Sequence, residues 1–538
     1  MIPQEIAAVD QIGFPILSVV IFFPLLWALL LNFSGGSHVR EAALVGALTE
    51  LVLTLLVAFN FQIGTPELQF AEQSAWMPTL GITYHVGVDG ISVLFLPVTA
   101  LATVLLLLAS WENRKFMLKP YLMALLAAET TTMGIFAAVD LVLFFVFWEL
   151  ALIPVFLLIK LWGVGAERRY SAQKYVLYMV AGGAPMTIAI ILLGLNYHEH
   201  ALAQGLEQAY SFDFPVLLNT PISFQMQALI LVLMGVAFAF KGPLFPFHTW
   251  MTSTLMDAPV AAGGLLVGFK LGVFGFIRFL LPLAPDAFTA YGSIIGVLAL
   301  IAIIYGALIA LVQSNFRKLL AYASVSHVGV AMLGMVAANG QALQGVIMTL
   351  VNLAVTGTGL YLLIMFVQDR LGSTDLAACG GLTWHMPKLG TMVFLVGLSF
   401  IAMPGTAGFT GEVLIFIGAF KANWIYAVIG VLGVILSAAY FLVWHQRGFW
   451  GTYTRKTLQI PPDASGRELV VGFATLAVIL YIGLYPTPML DMTSASVQKL
   501  VERVEQGATQ DVVANGGPRH GHPPRPLSVE LASVGAPN

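Results

Sequence analysis

Apolar residues along this chain come in long unbroken runs, not in the alternation of a half-buried strand. Roughly every thirty residues a stretch of about twenty apolar positions recurs, each long enough to cross a bilayer core of ~30 Å. The runs predict about fourteen helices, near 12–33, 41–62, 88–110, 118–138, 140–162, 172–195, 227–250, 257–281, 290–312, 319–338, 342–368, 388–418, 424–446 and 468–488. The first run is too long for a signal-peptide core and lacks a basic leader, so it reads as the first membrane helix.

Composition agrees. Of 538 residues 59% are hydrophobic and 9% charged, against roughly 25% charged in a soluble domain. Mean hydropathy is +0.88. A net charge of −3 without a basic face excludes a nucleic-acid partner, and the single Cys379 can neither form an internal disulfide nor complete an iron–sulfur or zinc ligand set.

Loop charge orients the chain. Loops after odd-numbered helices carry Arg40, Arg114, Lys115, Lys119, Lys160, Arg168, Arg169, Lys174, Arg317, Lys318, Arg370, Lys388, Arg447, Arg455, Lys456 and Arg467, whereas the even loops hold one basic residue, Lys421. Two even loops carry Glu67, Glu72, Glu199, Glu207 and Asp213. The positive-inside rule then puts the odd loops in the cytoplasm and both termini on the other face. The segment after about Leu500, including GGPRHGHPPRPLSVE, reads as a disordered tail, and its His520 and His522 as solvated residues.

Five ionisable groups sit in mid-helix: Glu149, Lys241, Lys270, His327 and Glu412. A charge near the bilayer centre costs at least ~2.5–3.5 kcal/mol and normally faces protein interior or water. Pro243 and Pro246 follow Lys241, and Pro404, Gly405, Gly408 and Gly411 precede Glu412, so helices seven and twelve must be discontinuous. Matched breaks five helices apart, with Glu149 and His327 also five helices apart, imply two inverted five-helix repeats, 118–281 and 290–446. They would be flanked by residues 1–117, a loop and helix over 447–499, and the tail 500–538. A Glu149–Lys241 contact would keep both groups ionised, and separating them would push the lysine's proton onward. Asp89 and Asp140 begin helices, Arg278 lies near the membrane boundary where it can snorkel, and Glu129 lies deep in its helix without an assigned role.

At these residues the chain resembles the antiporter-like subunits of complex I, shared with Mrp-type cation/proton antiporters. The resemblance spans about residues 85–450 and rests on DGISVLF, DLVLFFVFWELALIP, KGPLFPFHTW, LLAYASVSHVG, STDLAACGGL and MPGTAGFTGE. Within the family it is similar to the chain 4 (subunit M or D) branch, which carries glutamate where sister branches usually carry lysine, here Glu412. The resemblance implies an all-α integral membrane protein with Glu149 and Lys241 as a modulating pair, Lys270 and His327 as the central relay and Glu412 as terminal proton site. It also implies a proton-translocating subunit of an NAD(P)H- or ferredoxin-quinone oxidoreductase. Flavin or ferredoxin, iron–sulfur clusters and quinone would then sit on partner subunits, in a bacterial inner membrane or a cyanobacterial thylakoid with plastoquinone. This chain itself would hold neither cofactor nor metal. Departures are MTSTLMDAP after the broken helix, Asn352 where histidine is frequent and Asn315 where aspartate is frequent. Such divergence would suit a specialised form, such as a cyanobacterial CO2-uptake variant. An Mrp-type antiporter subunit is the alternative function, and an inert scaffold of paired charges a third.

Overall fold

The computed structural model describes residues 5–35, 38–112, 116–205, 210–451 and 462–514, with side chains through residue 506. Arg114, Lys115, Glu207, Arg455, Lys456, His520 and His522 lie outside the described residues.

Eleven helices among the described residues are long and apolar enough to cross a membrane, from Ile16–Phe33 to Gly466–Leu484. They fall on eleven of the expected segments. The other three coincide with the shorter Phe95–Ala109, the less apolar Leu118–Ala137, and the pair Pro387–Phe400 and Ala407–Ala422. One apolar core runs through the bundle, and two of its helices show how uneven the packing is. An 18-residue stretch of Gly340–Leu371 is wholly enclosed by protein, whereas Val39–Phe59 turns Val45, Val52 and Leu56 outward. In a bilayer such outward faces meet lipid at no hydrophobic cost.

The expected breaks are present, and one more accompanies them. Helix Phe224–Lys241 stops at the lysine and resumes as Thr249–Asp257, because Pro243 and Pro246 lack the amide hydrogens a helix needs. Helix Pro387–Phe400 stops before Pro404 and resumes at Ala407. The eighth helix, expected to be continuous, also unwinds: Val260–Gly268 ends at Phe269, and Lys270 is non-helical before Leu271. Glycine lets this break approach the seventh helix's. A Cβ on Gly272 would lie 2.1 Å from the Phe238 carbonyl oxygen and 2.4 Å from the Gly242 nitrogen, so the seventh- and eighth-helix breaks meet backbone to backbone.

Two parts of the chain are not as expected. The loop between the second and third helices forms a small sheet, in which β2 (Leu68–Met77) pairs antiparallel with β3 (Ile82–Val88) and parallel with β1 (Glu5–Ala7). His85 anchors it, with Nδ1 2.6 Å from Asp213 and Nε2 3.4 Å from Glu5. The segment after Leu500 is not wholly a disordered tail either, since Thr487–Ala514 is one helix. Val497, Leu500, Val501 and Val504 are buried at i, i+3, i+4 and i+7, a one-sided stripe that lays the helix against the bundle. Arg503 donates to the Pro282 and Leu218 carbonyls, and the Gly90 amide donates to Ser496. This helix therefore ties together loops far apart in sequence.

Candidate proton pathway

Glu149 lies near the middle of the Leu141–Trp162 span, whose start is capped by Asp140 accepting from the Val142 and Leu143 amides. Its carboxyl is half-buried against Gly183, and Oε1 has no hydrogen-bond partner among the described residues. A Cβ at Gly183 would stand 2.2 Å from that oxygen, so the glycine makes the carboxyl's space.

Glu149 and Lys241 lie within electrostatic reach of each other without an ion pair between them among the described residues. The Lys241 Nζ donates instead to the Trp148 carbonyl at 2.6 Å and sits 4.0 Å from the centroid of the Trp148 indole. The lysine is thus fixed to the backbone of the residue next to the glutamate. It borders a cavity of about 50 Å3 lined also by Thr131, Thr132, Tyr175, Trp250 and Phe269, room for about one water.

Lys270 occupies the eighth-helix break. Its Nζ donates to the Leu266 and Val267 carbonyls, and to the Ser324 hydroxyl at 3.3 Å. Both carbonyls belong to the last turn of Val260–Gly268, where the helix dipole presents negative charge to the ammonium. Ser324 sits one turn before His327 on Phe316–Ala337.

His327 and Glu412, adjacent in the expected row, meet directly: Nδ1 lies 3.3 Å from Oε1. On the other side Nε2 is 3.4 Å from the Tyr440 hydroxyl, and the ring packs edge-on against Phe400 at 4.6 Å. Glu412 follows the twelfth-helix break and lines an outward-facing apolar hollow with Ala402, Phe409 and Phe416.

The departures from the family pattern are structural fittings. Asn352 accepts from Thr356 at 2.7 Å and from Ser399 at 3.0 Å, beside the π-helical turn Leu353–Gly357 and the twelfth-helix break. Asn315 caps its helix by accepting from the Arg317 amide, and donates to Asp375 at 2.6 Å. In the altered MTSTLMDAP segment, Asp257 accepts from the Ser171 hydroxyl. Lys160 is exposed, 5.1 Å from the Phe156 ring.

Two charges read as peripheral are buried. Arg278 does not snorkel; it is 3% exposed and pairs with Asp89, since a guanidinium enclosed by protein needs a counter-charge. Arg317, counted as a loop charge, is 1% exposed and donates to the Leu255, Met256 and Ala258 carbonyls. It thereby satisfies the open C-terminal end of Thr249–Asp257.

Sequence reasoning missed Ser324, Tyr440 and His248. His248 ends the KGPLFPFH stretch, is buried with an unpartnered Nδ1, and packs on Phe245, Tyr305 and Tyr322. Its place seven residues after Lys241 was the available signal.

Broken helices carrying buried lysines, a histidine and glutamates define an antiporter-like membrane subunit. A model of the family described as NADH:quinone oxidoreductase/Mrp antiporter, transmembrane, matches residues 138–437, and the chain belongs to that family. Among its relatives is NADH-quinone oxidoreductase subunit M of Rhodobacter capsulatus, 35% identical over 507 residues, spanning 90% of this chain and 96% of that one. The solved structure of respiratory complex I from Thermus thermophilus with bound NADH has a chain that superposes with a TM-score of 0.81 at 30% identity, covering 91% of this chain and 99% of that one. An Mrp complex from Dietzia sp. shares the fold, with a TM-score of 0.75 at 19% identity, 93% of this chain covered and 56% of the other.

Proposed function

We propose that this chain is a proton-translocating membrane-arm subunit of a complex I type quinone oxidoreductase. Protons would move along Glu149, Lys241, Lys270, His327 and Glu412, with the five-helix units 118–281 and 290–446 each supplying half of the route. The observation that carries this reading is the contact of the two helix breaks at Gly242 and Gly272. It holds Lys241 and Lys270 beside unwound backbone in the bundle interior, where a charge survives only if protein or water can exchange it.

The chemistry follows from the contacts. Lys241 is tied to a carbonyl and an indole face, partners that favour the ammonium without fixing a permanent counter-charge beside it. A charge arriving at or leaving Glu149 would therefore change the lysine's proton affinity from one residue away. Lys270 would take the proton, pass it past Ser324 to His327, and His327 to Glu412. Histidine suits the middle of such a relay because one ring nitrogen can take up a proton while the other gives one off.

Electron transfer would belong to partner subunits carrying flavin, iron–sulfur clusters and quinone. Relatives named as NADH-quinone oxidoreductase subunits favour NADH as donor over ferredoxin, and a respiratory bacterial inner membrane over a thylakoid or a CO2-uptake form. Basic odd loops favour both termini on the non-cytoplasmic face. The test is purification from native membranes with identification of the associated subunits. Quinone-reductase subunits are expected, and Mrp partners alone would overturn the assignment in favour of a secondary antiporter.

A further inference from the structure

A second set of titratable groups lies apart from the row, before residue 138 where the family match begins. Glu50 is at the middle of Val39–Phe59 and Glu129 at the middle of Leu118–Ala137. These two helices pack on each other and both pack on Phe95–Ala109, which carries Thr103 at its own middle. Glu50 and Glu129 are 0% and 1% exposed, and none of their four carboxyl oxygens has a hydrogen-bond partner among the described residues. Glu50 lies within electrostatic reach of Glu129. The neighbouring Thr103 hydroxyl donates to the Thr99 carbonyl at 3.2 Å, which commits its one proton.

Two ionised carboxylates cannot stand side by side in the bilayer core with no cation and no donor; that arrangement would cost many kcal/mol. A carboxyl that holds its proton removes the charge and becomes a donor to its neighbour, as carboxyl pairs that share a proton do. The polar groups needed to pass that proton on are close by. Thr130, buried with an unpartnered hydroxyl, Thr131 and Thr132 follow Glu129 directly; the latter two donate to the Ala128 carbonyl, keep oxygens that can still accept, and line the cavity of about 50 Å3 that borders Lys241.

We propose that Glu50 and Glu129 form a proton-holding carboxyl pair that exchanges protons with Lys241 along the Thr131–Thr132 face of the fourth helix. This rests on the reading of Lys241 as a proton carrier. In the transfer a pair with both carboxyls protonated gives up one proton to the cavity water, the water passes a proton to the neutral lysine, and the single charge left behind is shared by the pair through the proton that remains.

The test is infrared difference spectroscopy on the whole assembled complex in hydrated membranes at neutral pH, with Glu50→Gln and Glu129→Gln variants beside the unaltered chain. The amide is close in shape to a protonated carboxyl, so the variants should assemble. The expected result is a protonated-carboxyl C=O band that is lost or halved in each variant, with pumping slowed at least about tenfold in Glu129→Gln. If a variant fails to assemble, carboxyl-13C glutamate in the unaltered complex reports the same band by its isotope shift. Ionised carboxylate signals alone, or unaltered pumping in both glutamine variants, would overturn the pair. Lys241→Ala separates the two claims: if it abolishes pumping while both glutamine variants pump normally, the pair falls and the relay stands.

Discussion

His327 Nδ1 faces Glu412 Oε1 at 3.3 Å while Nε2 faces the Tyr440 hydroxyl at 3.4 Å. Each ring nitrogen therefore has one neighbour, and of the two only the carboxylate can offer an imidazolium a negative charge. On the proposed relay, a proton arriving on the imidazole would be held by Glu412, and the tyrosine would only steady the ring. Glu412→Gln should leave the complex assembled and cut proton translocation by about tenfold or more, whereas Tyr440→Phe removes a long hydrogen bond worth ~1 kcal/mol and should cost no more than about fivefold. Proton-to-electron ratios in reconstituted vesicles would distinguish them, and equal losses would count against this ordering.

Gly183→Ala tests the space around Glu149. The new methyl would meet Oε1 at 2.2 Å, so the carboxyl must swing away from position 183 and change its place relative to Lys241. Assembly is expected to persist while pumping falls severalfold. A variant pumping at the normal rate would show that the position of the glutamate does not matter.

Removing Asp89 leaves Arg278 buried and unpaired. Asp89→Ala should destabilise the subunit by ~3–5 kcal/mol, seen as a lower thermal midpoint of the purified complex. Asp89→Leu combined with Arg278→Met should recover most of that loss, because no charge is then left without a partner. Equal destabilisation by the single and double changes would mean the pair is not the source of the effect.

The sheet should respond to pH. Burial alone would push the His85 imidazole down, but hydrogen bonds and charge from Asp213 and Glu5 outweigh it and raise it to about 9 from 6.5. The folded site holds the proton more tightly than the unfolded chain. Its stabilisation is therefore complete below pH ~6.5 and is lost as pH rises through 9, on the order of 3 kcal/mol in all. Amide exchange in β2 and β3 should accelerate across that window, and His85→Gln should abolish the pH dependence.

The burial of Lys241, Lys270, His327 and Glu412 was legible because a lone ionisable residue in a run of twenty apolar ones has few structural excuses. The breaks at Lys241 and Glu412 were legible because proline states its effect locally. The break at Lys270 was not, since no proline adjoins it and its neighbour is the seventh-helix break, met through Gly272 and Gly242 in a contact between distant segments. Tyr440 and Ser324 were hidden for a similar reason: a tyrosine or serine in an apolar helix looks the same in sequence whether it lines a relay or fills the core. Arg278 and Arg317 were misplaced because hydropathy puts charged residues at helix ends without telling which ends are covered. The Thr487–Ala514 helix was lost in a segment whose glycine- and proline-rich end dominated the reading.

The account turns on Lys241 as an obligatory carrier. The most direct measurement is the proton-to-electron ratio of an assembled Lys241→Ala complex, purified with its partner subunits and reconstituted into sealed vesicles. Quinone reduction that continues without proton translocation is the predicted result. An assembled Lys241→Ala complex that pumps at the unaltered ratio would contradict it.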